Sequence, residues 1–197
     1  FNLAWIRELP AAPHKPAPAP AAVLWDPRET LPKAAELPQV QGAEFHVIKP
    51  RGPDTDGCRW TLGVGLCWHE GKLYASYGFN KGDENTPTEE AHVRVSDDGG
   101  KTWGPPDNLG VSHGVFLSHG GRLRAFMGGF YDRFERTHTR AYELDETSGR
   151  WTKAGVVVEN GFWPMQEPQK MADGNWIMAG LRVGKGNPAA VAISHGE

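Results

Sequence analysis

Only two cysteines, Cys58 and Cys67, occur in 197 residues, too few for a disulfide framework. On one extended segment their separation would hold them roughly 30 Å apart, beyond bridging distance, so two buried free thiols are expected. A turn at Gly63 is the one feature that would bring them closer. No apolar run is long enough to span a bilayer and no signal peptide is visible; the chain opens at Phe1, which leaves its compartment undetermined. A net charge of -3 gives no basic excess, which argues against nucleic acid as a partner. Histidines and cysteines nowhere take zinc-type spacing, so no metal site or cofactor is expected, with a structural cation left open.

What the chain has in quantity is glycine (25), proline (16) and tryptophan (8), which fits many short strands joined by turns, an all-β chain. Residues 9–24 are rich in Pro and Ala without periodicity, and residues 1–43 read as an N-terminal arm or linker. From Glu44 strand signals run to the end, so 44–197 read as one β domain. Two markers repeat within it. Gly71-Lys72-Leu73, Gly121-Arg122-Leu123 and Gly174-Asn175-Trp176 have glycines 50 and 53 residues apart, and Trp103 and Trp151 are 48 apart. A period near 50 fits a unit of four antiparallel strands. It predicts units at about 58–110, 111–157 and 162–197. In the first, strands are expected near Leu62–Trp68, Lys72–Gly78 and Ala91–Val95, with a fourth after Trp103.

Residues 96–103, Ser-Asp-Asp-Gly-Gly-Lys-Thr-Trp, form the most specific stretch. Ser96 and Asp98 can bond back to backbone N–H groups, Gly99 and Gly100 supply positive φ, and Trp103 supplies apolar surface. The order Ser-x-Asp-x-Gly-x-Thr-Trp resembles the Asp box of sialidases and related β-propellers, with a degenerate copy at 144–151. The resemblance implies a partial propeller of about three four-stranded blades from a six- or seven-bladed whole. It also implies that the missing blades are the chain's partners, and that ligands bind on the face opposite the box.

Register from the glycines puts Gly63, His113 and Gln166 at equivalent starts of first strands, with Glu167 beside Gln166. His92 and Arg140 start third strands. Connecting loops are expected at Gly78–Glu90, with Asn80 and Glu84, and at Gly128–Thr139, with Tyr131. His113, His92 and Glu167 are the candidate acid/base groups, with His92 and His113 on one face. Arg59, Asn80, Glu84, Tyr131, Arg140, Trp163 and Gln166 are the candidate substrate contacts. His46, His69, His119 and His195 read as surface or turn residues.

The resemblance implies cleavage of a glycosidic bond at a terminal acidic sugar of an oligo- or polysaccharide. An extracellular or periplasmic location follows if the substrate is a polymer. The sialidase Arg-Ile-Pro motif is absent: its register holds Thr61-Leu62-Gly63, with Arg59 two residues early. The roughly twenty-residue spacing of His92 and His113 is similar to that in propeller polysaccharide lyases, where histidines serve elimination from uronates. A non-catalytic propeller that binds glycans or proteins is the third reading.

Overall fold

The computed structural model describes residues 28–38, 40–84, 86–132 and 135–195; the Pro/Ala-rich segment 9–24 lies outside them. The chain divides into two compact units, one ending at Phe45 and one running from His46. In the first, the described residues hold a single 3-10 turn, Ala34–Glu36, where Glu36 accepts a hydrogen bond from the Lys33 N–H at 3.2 Å.

The second unit is all β. Its first sheet has β1 (Trp60–His69), β2 (Lys72–Asn80), β3 (Glu90–Ser96) and β4 (Asp107–Asn108) in chain order, antiparallel throughout. The second repeats this with β5 (Ser112–His119), β6 (Arg122–Asp132), β7 (Glu135–Asp145) and β8 (Arg150–Val158). In the third, β9 (Phe162–Pro164) and β10 (Gln169–Lys170) pair with opposite ends of β11 (Trp176–Arg182), whose other edge pairs with β12 (Ala189–Ser194). The three predicted repeats are thus three antiparallel sheets. The strand after Trp103 shrinks to the two residues of β4.

Turn chemistry sets the register. The β1–β2 and β5–β6 hairpins close through Glu70-Gly71 and Gly120-Gly121, four residues all at positive φ, as type I′ turns require. In the 96–103 turn, Asp98 accepts hydrogen bonds from the Thr102 N–H and hydroxyl and from the Ser96 hydroxyl, at 2.9, 2.7 and 2.8 Å. Ser96 in turn accepts from the Gly100 N–H at 2.8 Å. These bonds hold the Asp98 carboxyl below the ordinary carboxylate range, the Thr102 backbone N–H contributing most.

Alternation along each strand buries one face against the next sheet. Tyr74, Ala91 and Val93 of the first sheet meet Phe116, Leu123, Ala125 and Met127 of the second, with the Trp151 ring edge-on to Tyr74. On its far side the second sheet packs Phe126 and Ala141 against Phe162, Met178 and Ala192. Each such large side chain, once buried, contributes roughly 1.5–3 kcal/mol. The other face of the first sheet is covered by its own preceding segment: Ile48 and Cys58 pack on Tyr77 and Phe79, and Arg94 donates to the Ile48 and Gly104 carbonyls. Both cysteines are free thiols; Cys58 is buried and Cys67 half-buried.

Two expectations are corrected here. Residues 128–132 and 135–139 are strand rather than loop, since pairing continues from Gly128↔Thr139 to Asp132↔Glu135. Gly128 and Gly129 lack side chains because the rings of Trp163 and His138 occupy that space. His69 is buried rather than at the surface. It ties the first two sheets together, bonding Ser118 Oγ at 2.8 Å and Glu146 Oε1 at 2.7 Å.

Candidate functional site

The three first strands share one irregularity. Registers slip between Leu62 and Gly65 in β1, between Ser112 and Gly114 in β5, and across 165–168 between β9 and β10. Such bulges re-aim side chains, and Gly63, His113 and Gln166 sit in them at equivalent places.

His113, 6% exposed, packs its ring over Gly63 and lies 5.2 Å, centroid to centroid, from the Trp163 ring. The Trp163 indole N–H donates to the His113 carbonyl at 3.1 Å. Burial pushes the His113 imidazole down to about 4, so it is neutral at pH 7.

His92 does not share that place. It pairs with Tyr77 across β2–β3, stacks on Phe79 at 4.5 Å and bonds Glu90 at 2.7 Å, on the face covered by Ile48 and Cys58. His113 lies against Gly63 and Gly78 on the face toward the second sheet. Both histidines lie at the end of the sheets opposite the 96–103 turn, where first and third strands begin, but the first sheet stands between them, because a residue's parity along its strand decides which side of the sheet it takes.

Asn80 is fully engaged in its own loop. Its amide donates to the Asp83 carbonyl, and its oxygen accepts from the Gly82 N–H and the Thr86 and Thr88 hydroxyls, all at 3.0 Å or less. Arg59, Glu84 and Gln166 have exposed side chains on the edge where first strands begin.

Glu167, exposed in the third bulge, faces a groove of about 750 Å³ that opens at the end of the sheets carrying the 96–103 turn, lined also by Leu66, Cys67, Trp68, Gly99, Pro168 and Trp176. Leu66 and Trp68 are 55% and 58% exposed. Burial, and secondarily the Glu167 carboxylate, push the Cys67 thiol up, which keeps it protonated. Two indoles beside a solvent-facing carboxylate suit a saccharide, whose C–H faces pack on aromatic rings while its hydroxyls bond to acids. Glu167 was a candidate from the sequence, whereas Trp68 and Trp176 were not. The alternation Val64, Leu66, Trp68 was the available signal.

Tyr131, Arg140 and His138 gather on the extended β6–β7 hairpin. The Tyr131 hydroxyl donates to Glu159 at 2.6 Å, which raises the phenol's pKa, and its ring lies 4.1 Å from that of His138. Arg140 Nε donates to His138 Nε2 at 2.7 Å; burial, first, and the nearby Arg140 charge hold His138 below the usual imidazole range. Among the described residues no cluster of His, Cys, Asp and Glu is arranged to hold a metal, and no helix is long and apolar enough to cross a membrane.

No protein-family model and no curated protein matches this chain. Solved structures similar to it include the following two. A Hadza microbial sialidase is 18% identical with a TM-score of 0.51, over 73% of this chain and 34% of the sialidase. A protein of unknown function from Dyadobacter fermentans is 13% identical with a TM-score of 0.51, over 68% of this chain and 47% of its own. The chain spans about a third of the first and about half of the second. At these identities the likeness is one of fold.

Proposed function

We propose that the chain is part of a sialidase-like β-propeller that hydrolyses a glycosidic bond at a terminal acidic sugar. The observation that carries this reading is the likeness of its sheets to those of the Hadza microbial sialidase. The 96–103 turn, read as an Asp box, adds support. In this reading the groove receives the saccharide at the end of the sheets that carries the 96–103 turn, rather than the opposite end that the resemblance implies, with Trp68 and Trp176 packing on the sugar. Glu167 is the group placed to exchange a proton with the glycosidic oxygen. Hydrolysis is favoured over elimination because His92 and His113, the pair an elimination would use, face opposite sides of the first sheet.

A second reading, glycan binding without catalysis, is favoured by one observation: the His113 ring is enclosed between Gly63 and Trp163. Both readings require saccharide at the groove. Titrating the intact protein with acidic and neutral oligosaccharides should shift its tryptophan emission, and Trp68→Ala should remove most of the shift. An emission spectrum indifferent to every saccharide would contradict both.

A further inference from the structure

A second cleft, of about 390 Å³, opens where the β6–β7 hairpin meets the 159–161 connection and the end of β11. That volume falls in the range of small-molecule pockets, roughly 300–1,000 Å³. Its walls include Arg136, Thr137, Glu159, Asn160 and Arg182. Arg136 and Asn160 both hold positive φ, 50° and 61°. A left-handed backbone is costly for arginine, and such outliers gather at binding sites. The consequence at Arg136 is visible: its guanidinium lies over the Tyr131 ring at 5.1 Å, while the ring itself is held by His138 and by the bond to Glu159. Tyr131 therefore aims Arg136.

The base of the cleft is rigid. The Gly161 N–H donates to the Thr137 carbonyl and the Val183 N–H to the Gly161 carbonyl, both at 2.8 Å. Beside these bonds lies an orphan. Thr137 is 2% exposed and its hydroxyl has no hydrogen-bond partner among the described residues. A buried hydroxyl left unsatisfied is destabilising, so one in the wall of a cleft is a place for a ligand's polar group.

We propose that this cleft binds one uronate-type sugar unit, its carboxylate on the guanidinium groups of Arg136 and Arg182 and a ring hydroxyl on Thr137 Oγ1. Planar guanidinium forks match a carboxylate in two-point contact, and the amide of Asn160 adds donors and acceptors suited to hydroxyls. The inference rests on the carbohydrate reading above and adds a subsite away from the Glu167 groove.

Calorimetric titration of the intact protein with methyl glucuronide, methyl glucoside and glucose 6-sulfate tests it. The glucuronide should bind at least tenfold more tightly than the glucoside. Arg136→Gln and Arg182→Gln should each weaken the glucuronide about tenfold or more and leave the glucoside unchanged, with Arg182→Lys falling between. Thr137→Val should weaken both sugars severalfold. Circular dichroism and melting of each variant establish that it is folded. Glucuronide affinity unmoved in folded arginine variants would overturn the cleft and leave the carbohydrate reading standing. Tighter binding of the sulfate ester than of the glucuronide would overturn the carboxylate assignment. Binding of no saccharide at all would overturn both readings together.

Discussion

The imidazole of His113 fills the space that a side chain at Gly63 would need, so the β1 bulge is shaped by the β5 bulge beside it. Gly63 also holds φ at +65°. Gly63→Ala should therefore add steric overlap to backbone strain and lower stability by about 3 kcal/mol. Gly99 has nearly the same φ, +75°, but open space around it, so Gly99→Ala should cost only about 1 kcal/mol. Urea unfolding of the two variants measures the difference; equal costs would contradict the packing.

The buried His113 predicts a pH dependence. Its folded-state pKa of about 4 lies below the unfolded value of 6.5. Between those values the unfolded chain takes up a proton that the folded chain refuses, so stability falls as the pH falls. The contribution is complete above pH 6.5 and lost by pH 4, roughly 3 kcal/mol in all. His113→Gln should flatten that part of the stability curve, and an unchanged slope would contradict the burial.

Asp98 predicts a further loss in the same direction at lower pH. Its folded pKa is depressed, so its hydrogen bonds stabilise the fold above the ordinary carboxylate value of 3.8 and are lost as the pH drops below it. Asp98→Ala should lower the melting temperature at pH 7 and reduce the loss of stability on acidification below pH 4. Melting curves from pH 2 to pH 7 decide the matter.

His69 joins two sheets through two short hydrogen bonds from a buried ring. His69→Ala should cost roughly 2–3 kcal/mol, from lost bonds and a cavity, whereas Glu146→Gln, at an exposed partner, should cost less than 1 kcal/mol. Denaturant midpoints of both variants check the ranking.

The strands were legible in the sequence because their turns are chemically explicit. Glycine at Gly71 and Gly121 and the bonds within 96–103 are local, and local chemistry fixes hairpins. The expected Leu62–Trp68 and Ala91–Val95 fall inside β1 and β3. Contacts distant in sequence were not legible. Gly128 and Gly129 read as loop residues until Trp163 and His138 are seen packed on them. His92 read as a companion of His113 because nothing local reveals that Ile48 and Cys58 cover its face. Asn80 read as a substrate contact, yet its amide is used by partners two to eight residues away, a loop closure visible only in three dimensions. Thr137 gave no sequence signal, since an unpaired hydroxyl is a property of its surroundings.

Turnover of a fluorogenic sialoside by the intact protein and by Glu167→Gln tests the central claim most directly. Release of free sugar with no unsaturated product, and a fall in kcat of about 10²–10⁴ in a variant that melts like the parent, is the predicted result. Equal kcat in the two proteins, or no release by the parent from any acidic glycoside, would contradict it.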